Sequence, residues 1–520
     1  MSSDSLTTGA STATEADQPY FDPIAYGTGP DDNVTDTAET AAVTHHTITL
    51  GGREIAYTAT AGHLVTVDPG TSRPNAKIFY VAFTQDARSE TARPLTFCYN
   101  GGPGSSAVFV LLGSFAPRRI KTNMPDYTPP APYAMEDNPD SLLDKTDLVF
   151  INPVGTGYSA AIAPHKNSEF WGVDQDADSL KQFVKRYLTE NNRWNSPKFL
   201  YGESYGTARS CVLAYRLHED GVDLNGITLQ SSILDYATSS DPIGLLPTAA
   251  ADAWYHKKVS ITPVPTDPAA FVEEVEKFAS GDYAAALKAF PKADPAVVTK
   301  LSEYTGIDVA TLTSWKLAIN YRFLTTLLQD RALALGAYDG RVTGIDSGIA
   351  GKVDPAAGSN DPTMAAVSGV YTAMWNSYLN EQLKFTSNSE YTALNSQVFE
   401  HWDFSHTDPT GVKQTGPLNT AADLAALMAI NVDLRVLSAN GFYDFVTPCY
   451  QTVLDLQQMP LEDARVRKNL TIRFYPSGHM VYLDGNSRTA LKQDLAQLYD
   501  TATGDTGAVN RVLALQQNKG

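Results

Sequence analysis

Short apolar runs that alternate with helical patterns constrain this chain more than any other feature of it. Leu95–Tyr99, residues 147–152 (Asp-Leu-Val-Phe-Ile-Asn), residues 198–201 and Gly226–Gln230 each read as a single apolar strand. Between them, Leu180, Phe183, Val184, Tyr187 and Leu188 recur at helical spacing, and residues 205–218 read as a second helix. Such alternation is the signature of an α/β fold whose mostly parallel sheet is covered on both faces. The rhythm stops near residue 235 and resumes with strands at 433–438 and 470–475 and a closing helix over 488–499. The chain order is therefore core, insertion, core.

That order divides the 520 residues into four stretches. Residues 1–41 are polar and poor in aliphatic side chains, as in a disordered or loosely attached arm. Residues 42–234 form the first part of the core. They open on antiparallel strands, with a strand–turn–strand over 47–67 around Gly51-Gly52 and another run at 77–84. Residues 235–425 read as an inserted helical cap, with amphipathic helices at 269–278, 312–335 and 367–379, and residues 426–520 complete the core.

Composition excludes some classes of function. A formal net charge of −19 argues against nucleic acid and anionic membranes as partners, and no apolar run has the length of a membrane span. Cys98, Cys211 and Cys449 are too few and too far apart for a disulfide framework or a thiolate zinc site, and a single Cys98–Cys449 bridge is the one pairing left open. The first residues lack a basic segment followed by an apolar core, which favours the cytoplasm for the chain as written.

The strongest local signal is Gly202-Glu-Ser-Tyr-Gly206, a Gly-x-Ser-x-Gly element where a strand meets a helix. In the nucleophile elbow of the α/β-hydrolase fold, a strained turn between small neighbours points the serine hydroxyl away from the sheet. A simple Gly-rich turn is the plain alternative. A serine nucleophile needs a histidine base, the histidine needs an acid, and in this fold the chain order is Ser, acid, His. His479 directly follows the last strand, whereas His256, His401 and His406 fall in the cap and His218 lies on the elbow helix, too close in sequence. Asp444, in Asn440-Gly-Phe-Tyr-Asp444, stands in the loop after the preceding strand. Ser204, Asp444 and His479 thus form the candidate triad. Backbone N–H groups of Tyr205 and of the Asn100-Gly-Gly-Pro-Gly104 turn are the candidate oxyanion donors.

Tyr99-Asn-Gly-Gly-Pro-Gly-Ser-Ser106, Asn152-Pro-Val-Gly-Thr-Gly-Tyr-Ser159, Gly202-Glu-Ser-Tyr-Gly206, Asn440 to Asp444 and Ser477-Gly-His479 together resemble the serine carboxypeptidase family. The resemblance implies an enzyme that releases C-terminal residues from peptides through an acyl-enzyme, with no metal or organic cofactor. It implies Gly102 and Tyr205 as the oxyanion donors, and Asn100, Gly101 and Glu203 as the group that holds the substrate's terminal carboxylate. Glu203 must then be protonated, since two anions in contact repel. It also implies secretion or an acidic compartment. The chain departs from the family pattern at three places. No second glutamate follows the Gly-rich turn in Gly113-Ser-Phe-Ala-Pro117, Asn152 stands where Asp is common, and Ser105 stands where many members have Cys. Arg118 or Arg119 pairing with substrate is one compensation, a surface role the other. These departures point to a divergent, bacterial branch. An esterase, an acyltransferase or a lyase on the same triad, and a non-catalytic binding protein, are the alternative readings.

Overall fold

The structure, a computed structural model, describes residues 16–86, 92–346 and 361–504. Among these the central sheet has ten strands, nine of which lie on one hydrogen-bonded path. In chain order the nine are β1 (Ala41–Leu50), β2 (Arg53–Val67), β3 (Pro74–Gln85), β4 (Leu95–Tyr99), β5 (Asp147–Ile151), β6 (Lys198–Glu203), β7 (Gly226–Gln230), β8 (Arg435–Gly441) and β9 (Leu470–Tyr475). Their spatial order is β9-β8-β7-β6-β4-β5-β3-β2-β1, and the short strand Ala160–Ala161 pairs with β3. From β9 to β5 every pairing is parallel, while β5, β3, β2 and β1 are joined antiparallel. The parallel strands β4 to β7 are buried at every residue. This is why they read as continuous apolar runs rather than as alternating ones.

Two cores cover the two faces. On one face, Val108–Gly113 (α1) and the closing helix Gly485–Thr503 pack on the sheet through side chains such as Val110, Leu112, Leu491 and Leu495. On the other, Val173–Glu190 (α2), Tyr205–Glu219 (α3) and Ala421–Ile430 contribute Leu180, Phe183, Cys211, Leu213 and Leu424. After β4 the chain adds β5 on one flank and then β6 on the other. The crevice beyond the carboxyl ends of β4 and β6 is therefore the topological switch point, the place where open α/β sheets take their ligands.

The segment 235–425 is not one body. Residues of the helices Pro242–Tyr255, Pro268–Phe278 and Pro295–Thr305 build a core of their own with Ile319, Phe323, Leu335 and Phe445. The helix Pro362–Glu381 instead joins the first core through Val367, Tyr371 and Trp375, and Ala421–Ile430 joins the second. Pro362–Glu381 is apolar around most of its circumference, so burial in the main core is its stable place. The expected long helix at 312–335 is also corrected. Lys316 and Leu317 both take positive φ, 56° and 65°, which ends the helix Val309–Ser314, and the short helix Phe323–Thr326, a 3-10 turn at Gln329–Arg331 and the strand Leu333–Leu335 follow.

The N-terminal arm is corrected for its described part. Tyr20–Asp22 pairs in parallel with Phe385–Ser387, and Val34 is buried. Tyr26 Oη donates to Asp22 Oδ2 at 2.8 Å and lies 3.0 Å from His63 Nε2 inside the protein. The arm is tied down by a few aromatic and polar side chains whose partners stand far along the chain. Residues 1–15 lie outside the described residues. The three cysteines are buried and free, so no Cys98–Cys449 bridge forms.

Candidate active site

Ser204 follows the last residue of β6 and precedes the first of α3, with φ 61° and ψ −130°. Left-handed φ in a residue with a Cβ costs about 1–3 kcal/mol and persists only where neighbours enforce it. Here the Ser204 N–H donates to the Gln230 carbonyl of β7 at 3.0 Å, which pins the turn to the sheet. A Cβ on Gly202 would stand 2.1 Å from the Gly206 carbonyl oxygen, so the turn closes only with glycine there. Ser204 is itself partly exposed, while Glu203 and Tyr205 on either side are buried.

Asp444 and His479 meet beyond the ends of β8 and β9. His479 Nδ1 lies 2.8 Å from Asp444 Oδ2 and both side chains are buried. Asp444 also accepts from the Val446 N–H at 3.0 Å, the Thr447 N–H at 2.9 Å and the Thr447 hydroxyl. Burial disfavours the imidazolium, but the charge and hydrogen bond of Asp444 outweigh it and raise the His479 pKa above its ordinary value. The ring is oriented further by Tyr338, packed edge-on with centroids 5.2 Å apart. Its backbone donates to the Tyr338 carbonyl at 2.6 Å and accepts from Ser231 Oγ at 2.6 Å. With Nδ1 committed to Asp444, Nε2 is left to exchange a proton.

The Gly-rich turn reaches the elbow from β4. A Cβ on Gly101 would stand 2.4 Å from the Tyr205 nitrogen, so this close approach of two backbones needs glycine. Gly102 takes φ 99°. Asn100 is fixed at both ends of its side chain. Its Oδ1 accepts from the Val110 N–H at 3.0 Å and its Nδ2 donates to Glu203 Oε1 at 2.7 Å. The other carboxyl oxygen of Glu203 accepts from Gln230 Nε2 at 2.7 Å. Burial pushes the Glu203 pKa up to about 7, against the opposing influence of His479, of the nearby Tyr482 hydroxyl and of the hydrogen bond from Asn100.

At Gly113, where no second glutamate occurs, tyrosines fill the space. An added Cβ would meet Tyr371 Oη at 2.3 Å and the Tyr482 ring at 2.5 Å. Arg118 and Arg119 do not compensate, because they pair with Asp137 and Glu136 in a small hairpin. Asn152 holds the start of α1, its Oδ1 accepting from the Ala107 N–H at 2.9 Å. The remaining candidate histidines are engaged elsewhere. His256 bonds the Gly340 carbonyl, His401 the Gln397 carbonyl, His218 Asp223, and His406 sits between Asp174 and Asp423. Sequence reasoning missed Gln230, whose backbone holds Ser204 while its side chain reaches both Glu203 and the His479 carbonyl. A glutamine ending an apolar strand, Gly-Ile-Thr-Leu-Gln, was its only signal.

Several known proteins are similar to this chain. Serine carboxypeptidase-like 1 of Arabidopsis thaliana is 25% identical over 174 residues, covering 32% of this chain and 38% of that protein. The probable serine carboxypeptidase CPVL of Homo sapiens is 26% identical over 189 residues, covering 33% and 37%. The chain thus spans less than two thirds of the length of the curated relatives it matches. Among solved structures, KEX1(DELTA)P, a prohormone-processing carboxypeptidase from Saccharomyces cerevisiae, shares the fold, with TM-score 0.50 and 16% identity over 86% of this chain and 91% of that one. The family model described as serine carboxypeptidase matches residues 53–480, and by that match over most of its length the chain belongs to the serine carboxypeptidase family.

Proposed function

We propose that the protein is a serine-type carboxypeptidase that releases C-terminal residues from peptides through an acyl-enzyme. The observation that carries this reading is the placement of Glu203, a buried carboxyl with its pKa pushed up to about 7, directly before Ser204 and bonded to Asn100. A neutral Glu203 donates a hydrogen bond to the substrate's terminal carboxylate, with Asn100 and Gly101 beside it.

The chemistry then runs on this chain's own residues. His479 Nε2 takes the Ser204 proton as Oγ attacks the scissile carbonyl. The N–H groups of Gly102 and Tyr205 receive the oxyanion, and Asp444 stabilises the imidazolium. Collapse expels the terminal residue as its free amine, protonated by His479, and leaves the acyl group on Ser204. Water, deprotonated by His479, attacks that ester and restores the serine. The charge of an ionised Glu203 favours the protonated form of His479. Protonating Glu203 therefore both accepts the substrate and helps His479 to be neutral.

A fluorophosphonate tests the nucleophile. Labelling of Ser204, found by peptide mass spectrometry and lost in Ser204→Ala together with peptide hydrolysis, is the expected result. Full hydrolysis by Ser204→Ala overturns it. A second reading, an esterase or acyltransferase on the same serine, draws on Gly113, where Tyr371 and Tyr482 rather than a second carboxyl fill the space. Equal turnover of free-acid and amidated peptides would favour it.

A further inference from the structure

Beneath the proposed oxyanion position lies a buried arginine. Arg209, on α3, is 1% exposed. Its Nη1 donates to the backbone carbonyl of Asn100 at 2.5 Å, and its Nε donates to Asp176 Oδ2 of α2 at 2.5 Å. Its guanidinium also lies over two rings, 5.3 Å from the centroid of Tyr99 and 5.0 Å from that of Tyr205. These contacts fall on both sides of one place. Tyr99 and Asn100 lead into Gly101 and Gly102, and Tyr205 carries the other N–H.

A buried ion pair is a poor source of stability, because desolvating two charges offsets most of their attraction. This pair is better explained by what it holds still. The planar guanidinium presents several donors at fixed angles, so one side chain can grip Asp176 and the Asn100 carbonyl at once while stacking on aromatic faces. Gripping that carbonyl fixes the peptide plane between Asn100 and Gly101, and so the aim of the peptide that follows. Stacking on Tyr205 fixes the residue that bears the second N–H.

We propose that Arg209, clamped by Asp176, is a positioning residue that sets the spacing of the Gly102 and Tyr205 N–H groups around the oxyanion. It touches neither substrate nor the reacting atoms. The proposal rests on the serine-hydrolase reading of the site. Donors aimed at an oxyanion act in the transition state far more than in the bound substrate, so their misplacement lowers kcat and leaves KM nearly unchanged.

The test compares Arg209→Met, Arg209→Lys and Asp176→Asn with the wild type. Two quantities are measured on folded enzyme, counted by active-site titration. They are hydrolysis of an N-blocked dipeptide and affinity for a peptide boronic acid, which forms a tetrahedral adduct on serine. The expected loss in kcat is about 100-fold for Arg209→Met and about 10-fold for the other two, with KM within about 2-fold. Boronate affinity should fall in proportion to kcat/KM across the series, which a merely structural role would not produce. Wild-type kcat per titrated site, or unchanged boronate affinity beside a reduced kcat, overturns the proposal. If Arg209→Met does not fold, the two conservative variants decide. Activity that survives Ser204→Ala would overturn the serine reading and this proposal with it. Activity that needs Ser204 yet ignores all three variants overturns this proposal alone.

Discussion

Gln230 and Glu203 sit directly opposite one another at the ends of adjacent parallel strands, and the Gln230 side-chain amide donates to Glu203 Oε2 at 2.7 Å. The same glutamine accepts the Ser204 N–H through its backbone and donates to the His479 carbonyl at 3.2 Å. Ser204, Glu203 and His479, the proposed nucleophile, carboxylate reader and base, are thus coupled through one residue of β7.

A donor to a carboxylate favours its ionised form, so Gln230→Leu should raise the Glu203 pKa further above about 7. A hydrogen bond to a charged group contributes about 1.5–3 kcal/mol, which corresponds to about one to two pH units. Free-acid peptide hydrolysis, which needs Glu203 protonated, should therefore persist to higher pH in the variant. A pH–rate profile whose alkaline limb is unmoved would contradict the coupling.

Asp444→Asn keeps an acceptor for the Val446 and Thr447 N–H groups, so the loop should stay folded. It removes the charge that holds the His479 tautomer and cation. A fall in kcat of about 10⁴-fold is expected, with little change in melting temperature. Steady-state kinetics beside a thermal melt check both halves.

Tyr26→Phe strips one bond from the buried Asp22 and breaks the contact with His63. Leaving a buried polar group short of a partner costs about 1–3 kcal/mol. Chemical denaturation should show that loss while kcat holds, since the arm stands apart from the proposed triad.

His406 is held between Asp174 at 2.7 Å and Asp423 at 3.0 Å. Burial works against its charge, but the two carboxylates raise its pKa to about 9. Its folded pKa lies above the unfolded value of about 6.5, so its stabilisation is complete below that value and fades as pH rises through about 9. The gap in melting temperature between wild type and His406→Gln should be widest in mild acid and should close in alkali.

How much of this was legible in the sequence follows from the range of the interactions. The buried strands and the elbow declare themselves locally, because contiguous burial needs contiguous apolar residues and the turn at Ser204 needs Gly202 beside it. Asp444 and His479 were legible as loop residues after strands in the required order. Gln230 was not, since its partner Glu203 is 27 positions away and nothing near it in sequence hints at the pairing. Arg209 reads as an ordinary polar residue on a helix until Asp176 of another helix is brought against it. The arm reads as loose in sequence for the same reason, because its contacts with Phe385–Ser387 and His63 exist only in the assembled fold.

In the proposed reaction Glu203 reads a substrate's terminal carboxylate while Ser204 does the chemistry. That role of Glu203 is tested most directly by the ratio of hydrolysis rates for one N-blocked dipeptide, as free acid and as C-terminal amide, followed from acid to alkali in wild type and Glu203→Gln. The expected result is a free-acid preference that is strong in acid, declines as pH rises through about 7, and loses that pH dependence in the variant. A ratio near one at every pH in the wild type, with activity still dependent on Ser204, would contradict it.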